Sequence, residues 1–95
     1  MNAPGRAVTL HSQLAKRGLA RLTLRWPQLR SALPDFKAPT DDFESLCAAY
    51  EEACQALDIW RQSTAETAEL RATEYQHLVK DIELDLIQYL ARRAS

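Results

Sequence analysis

The chain holds two glycines and two cysteines among 95 residues, and both scarcities exclude chemistry. Two glycines leave no Gly-rich loop to cradle a phosphate, and no Gly-x-Ser-x-Gly turn presents a serine nucleophile. Cys47 and Cys54 lie seven residues apart, so they make no Cys-x-x-Cys pair of the redox or zinc kind. On one helix they would stand about 10 Å apart along the axis. A disulfide needs Cα atoms within about 7 Å, so they do not bridge each other. They read as small buried side chains, with a bond between subunits as the other reading. No apolar run approaches the roughly 20 residues that span a bilayer. No membrane partner, cofactor, metal or small-molecule substrate is expected.

Acidic residues are missing from Met1 to Arg30, where several arginines stand. That pattern resembles a transit peptide, but serines are few, and the apolar core of a secretory signal is absent. Nine arginines against three lysines fit the codon bias of a GC-rich genome. A bacterial cytoplasmic protein is therefore expected. Charge is divided unevenly along the chain. Residues 1–38 carry seven basic side chains against Asp35 alone, a net +6, while residues 39–95 carry five basic and twelve acidic, a net −7. Either the basic segment packs on its own acidic half or it reaches for an external anion. The internal pairing is the simpler expectation.

A hydrophobic fraction of 46% is in the globular range, and 95 residues support one domain with a modest core. Residues 1–8, with Pro4 and Gly5, read as a flexible arm. From Thr9, taken as an N-cap, Ala15, Leu19, Leu22, Trp26, Leu29 and Leu33 recur at helical spacing. Gly18 should weaken that helix by about 1 kcal/mol relative to alanine. Pro27 disfavours helix at Trp26, so the helix should end near Arg25, with a short turn from Pro27 to Leu33. Arg21 to Trp26 also alternates polar and apolar with period two. Read as a strand, Leu22 to Pro27 resembles the N-terminal strand of ribbon-helix-helix repressors, which would imply side chains entering a DNA groove. That fold needs a full helix directly afterwards, and Pro34 cuts the candidate to about seven residues; helix is the preferred reading.

Residues 34–40, with two prolines, predict a loop between this basic helical segment (9–33) and the rest. Asp41 followed by Glu44 fits a capping box. The stripe Phe43, Leu46, Tyr50, Ala53, Leu57 and Trp60, flanked by the two cysteines, then marks an amphipathic helix with Glu51, Glu52, Gln55 and Asp58 on its polar side. A second stripe, Ala68, Ala72, Tyr75, Val79, Ile82, Leu86 and Tyr89, is one residue out of heptad phase with the first. Ser63 and Glu66 supply a second capping box between them. The slip predicts an antiparallel hairpin turning at 62–64 within residues 41–95, with one continuous helix as the alternative. The expected fold is thus all-α: a small helical bundle built from the basic N-terminal helix and the hairpin, and oligomeric.

Two sets of residues carry functional expectations. Ile82, Leu84, Leu86, Ile87, Tyr89 and Leu90 spread apolar surface over more than one face of the last helix, more than a lone hairpin covers, and so form the candidate protein interface. Lys16, Arg17, Arg21 and Arg25, with Arg30 further on, make a basic ridge able to contact phosphates, so nucleic acid is the alternative partner. Glu74 and His77 have the Glu-x-x-His spacing of di-iron carboxylate bundles, but with Tyr75 facing the core they point roughly 100° and 160° away from it. His11 has no acidic neighbour in sequence and should face solvent. The functional expectation is a small non-enzymatic helical interaction protein (an adaptor, an inhibitor or a secretion-associated subunit). It would act by helix-on-helix burial with a protein partner or itself.

Overall fold

A computed structural model describes residues 3–32 and 41–94, with side-chain placement for 11–30 and 42–92. The expected loop at 34–40 and Leu33 of the first stripe lie outside the described residues. Three α-helices, α1 (Ala3–Arg25), α2 (Asp41–Gln62) and α3 (Ala68–Ala94), and a 3-10 helix (Pro27–Ala32) make up the fold. The described residues include no strand, which removes the ribbon reading of Leu22 to Pro27.

The first helix begins six residues earlier than Thr9, at Ala3, and runs through Pro4 and Gly5. Proline is tolerated there because first-turn N–H groups have no helical acceptor to lose. At its other end, Trp26 still donates its N–H to the Leu22 carbonyl (2.8 Å), and its own carbonyl accepts from Leu29 (2.9 Å) in the 3-10 turn that follows Pro27. Between α2 and α3 the break is longer than expected. The Ser63 hydroxyl accepts the N–H of Ala65 two residues on (3.1 Å), which closes a turn rather than starting a helix. The first helical bond of α3 runs from the Arg71 N–H to the Thr67 carbonyl (2.9 Å), so Thr67 occupies the N-cap.

The second helix is central: both α1 and α3 pack against it. Phe43, Cys47, Ala48, Tyr50, Glu51, Ala53 and Leu57 are all buried, which spreads its covered surface over more than half of its circumference. From α1 the core takes Ala15 and Leu22, with Leu19 and Trp26 partly buried beside them; from α3 it takes Ile82, Leu86 and Leu90. Phe43 stacks on Tyr89 with ring centroids 5.0 Å apart. Each fully buried Leu contributes about 2 kcal/mol by removal from water.

Along α1 and α2 the contacts advance together: His11 meets Glu44, Gly18 meets Cys47, and Arg21 meets Glu51. These two helices therefore run in the same direction. Along α3 the pairings descend instead, with Tyr50 bonded to Glu83 and Phe43 stacked on Tyr89. At Gly18 the backbones of α1 and α2 approach closely. A Cβ built there would overlap the Cys47 carbonyl oxygen, lie 2.9 Å from the carbonyl carbon, and come within 3.3 Å of the Glu51 nitrogen. Its role is to admit the neighbouring backbone. The Cα atoms extend 44 × 41 × 18 Å, a broad, thin arrangement with large open faces.

Candidate functional site

Two carboxylates are buried, one of them on the expected polar side of α2. Glu51 is 3% exposed and Glu83 5%. An isolated ionised carboxylate is costly in such a place, so partners are required, and α1 supplies them. The Arg21 Nε donates to Glu51 Oε1 (2.5 Å) and its Nη2 to Oε2 (3.4 Å), while Gln55 Nε2 donates to Oε2 (2.6 Å). The Arg25 Nε lies 2.8 Å from Glu83 Oε2, and the Tyr50 hydroxyl donates to the same oxygen at 2.6 Å. Burial pushes the Glu51 carboxyl up, but the hydrogen bonds from Arg21 and Gln55, with the positive charges of Arg21 and Arg17, outweigh it and leave the group below its ordinary value. The Tyr50 phenol is driven well above its usual range, first by burial and then by its bond to Glu83. The network joins all three helices through charge-assisted bonds.

The expected basic ridge is thereby divided. Arg21 and Arg25 are engaged with Glu51 and Glu83; Lys16, Arg17 and Arg30 are exposed. His11 differs from expectation too. It is partly exposed, and its Nε2 stands 3.6 Å from Glu44 Oε1, a neighbour 33 residues on in sequence.

The expected interface on α3 is also largely internal. Ile82, Leu86 and Leu90 belong to the core, Tyr89 is stacked on Phe43, and Ile87 is half-buried. The reason is that two elements, α2 and the 3-10 helix, both pack on α3. Only Leu84, 57% exposed, projects outward. Leu86→Ala should accordingly cost about 3 kcal/mol of unfolding free energy and Leu84→Ala less than about 0.5, as measured by urea denaturation.

Two grooves flank the line where α3 meets α2. One, of about 350 Å³, is floored by Ala49, Ala53 and Ala56 of α2 and walled by Tyr75, Leu78 and Ile82. It continues past Tyr75 and Leu78 into a hollow of about 470 Å³ bounded by Trp60, Arg71 and Glu74. Together they make a shallow seam whose apolar floor and walls are edged by Glu52, Thr67, Arg71 and Glu74. The other groove, about 520 Å³, opens where the end of α1 meets α2 and α3; Arg21, Arg25, Arg61 and Lys80 line it with Leu57 and Val79. The sequence offers no direct signal for either, because each is assembled from different helices.

No group of His, Cys, Asp or Glu among the described residues is arranged to hold a metal ion. Glu74 is bonded to Arg71 (3.1 Å) on the exposed side of α3, and His77 is exposed as well. Among the described residues no helix is long and apolar enough to cross a membrane. No family model, curated protein or solved structure matches this chain.

Cys47 and Cys54 are both free. Burial pushes the Cys47 thiol up to about 12 and also raises that of half-buried Cys54. Thiolate is the reactive form. Alkylation by iodoacetamide at pH 8 should therefore modify Cys54 first, with Cys47 reacting only at the rate of unfolding; mass spectrometry after peptide digestion reads the order.

Proposed function

We propose that this chain is a small non-enzymatic interaction protein that works by helix-on-helix burial, with α2 and α3 as an antiparallel hairpin presenting the apolar seam. The observation that carries this reading is the seam itself. Tyr75 and Leu78 stand along it over a floor of alanines, small enough for another helix to approach closely, and Trp60 stands at its far end. Leu78 remains 44% exposed there. A second copy of the chain is the favoured occupant: the net charge of −1 sets up little long-range repulsion between copies, and an apolar seam is self-complementary across a two-fold axis. Two unbridged thiols suit a reducing cytoplasm.

The test is light scattering across a concentration series. Wild type should grow from monomer toward dimer, and Leu78→Glu should remain monomeric with unchanged helical circular dichroism. A wild type that stays monomeric at its highest soluble concentration would overturn self-association. The nucleic-acid alternative has less support, since Arg21 and Arg25 are held by internal carboxylates and it then depends on Lys16, Arg17 and Arg30. It predicts a low-salt mobility shift that disappears when those three are changed to glutamate.

A further inference from the structure

We propose that the cationic groove at the end of α1 is a docking site for an acidic amphipathic segment of a partner protein. This rests on the reading of the chain as an interaction protein but uses the opposite side of α3 from the seam. Of the five basic residues in the acidic part of the chain, two, Arg61 and Lys80, line this one groove and meet Arg21 and Arg25 of α1 there. Arg61 and Lys80 are exposed and have no ion-pair partner among the described residues.

The two α1 arginines are fixed in place. Each engages its buried carboxylate mainly through Nε, Arg21 adding a longer Nη2 contact, so Glu51 and Glu83 orient the two guanidinium groups. Arg25 remains 57% exposed, and its two terminal nitrogens, outside that 2.8 Å contact, form the edge that receives a carboxylate end-on. Arg21 and Arg25 are balanced by Glu51 and Glu83, so the groove's net charge comes from Arg61 and Lys80 against Asp58, an excess of one positive charge.

Its apolar part decides which anion fits. Leu57 and Val79 contribute to the lining, and Leu24 stands at the rim 73% exposed. A free phosphate would leave that surface unused. Nucleic acid would want aromatic faces for its bases, and the one aromatic ring in the lining, Tyr50, is buried with its hydroxyl committed to Glu83. A segment with carboxylates on one edge and Leu-type side chains on the other satisfies both halves, by the helix-in-groove mode of peptide recognition.

The experiment uses the full chain and fluorescence anisotropy. The probe is a labelled peptide of about 14 residues, roughly four helical turns, with Leu and Glu repeating three and four apart. A twin with Lys for Glu and a single-stranded oligonucleotide of matched charge serve as comparisons. The acidic peptide should bind saturably, and Arg61→Glu with Lys80→Glu should weaken it about tenfold, as loss of two complementary charges does, with helical circular dichroism unchanged. Leu24→Asp should weaken it as well, and the Lys twin should not bind. Leu78→Glu should leave peptide binding intact, so failure of the seam and failure of this groove are read separately. Absence of binding, binding indifferent to the double reversal, or preference for the oligonucleotide would each overturn the proposal.

Discussion

Gly18→Ala should lower the thermal unfolding midpoint by about 10 °C, although alanine is the better helix former. Two effects oppose each other at this position. Replacing a mid-helix glycine with alanine gains about 1 kcal/mol in an isolated helix. Against it stands the Cys47 carbonyl, which a Cβ at residue 18 would overlap. Backbone cannot rotate out of the way as a side chain can, so α1 must lift from α2, and overpacking of this kind costs about 3 kcal/mol. The net loss of about 2 kcal/mol corresponds to the stated shift for a domain of this size. Ala20→Gly, at an exposed site two residues on, should also destabilise, by about 1 kcal/mol through propensity alone. Opposite substitutions on one helix would thus act in the same direction. A Gly18→Ala protein that melts higher than wild type would show that α1 accepts a Cβ there without lifting from α2.

Arg21→Met should cost about 2–3 kcal/mol, and adding Glu51→Met should recover most of it. Removing one partner of a buried pair strands the other charge, at about 3–5 kcal/mol where both are desolvated. The Arg21 side chain is 39% exposed, so solvent screening reduces that figure. Replacing both with apolar side chains removes the stranded charge altogether. The pH dependence follows from the depressed Glu51 carboxyl. A group whose folded value lies below its unfolded one contributes stability that is present above the unfolded value, near 4.3 for Glu, and is lost as pH falls through the folded value. Urea midpoints measured from pH 6 down to pH 3 should fall for wild type and fall less for the double variant. Equal slopes would mean that the pair is not what fails in acid.

The register of the apolar side chains was readable from the sequence, and the places where the helices meet were not. Ala15, Leu19, Leu22 and Trp26 recur at helical spacing and turn toward the core as that spacing implies. The same holds for Phe43, Tyr50, Ala53 and Leu57, since one buried face imposes its period on the chain. Gly18 misleads because propensity describes a helix alone, whereas its value here depends on a carbonyl 29 residues away. Glu51 misleads in the same manner: a carboxylate on the polar side of a helix looks solvated until an arginine from α1 is seen beside it. The apolar excess at 82–90 is largely covered by the chain's own α2 and 3-10 helix, and open apolar surface lies along Trp60, Tyr75 and Leu78.

The shared direction of α1 and α2 has a kinetic consequence. His11 and Glu44, Gly18 and Cys47, Arg21 and Glu51 are separated by 33, 29 and 30 residues, nearly a constant. Antiparallel neighbours can close a short loop first and zip outward, each contact shortening the next. Here every first contact closes a loop of the same length and bears the same entropy. Once one contact has formed the next ones close at little further cost, so docking of α1 should be cooperative, bringing Arg21 and Arg25 in together.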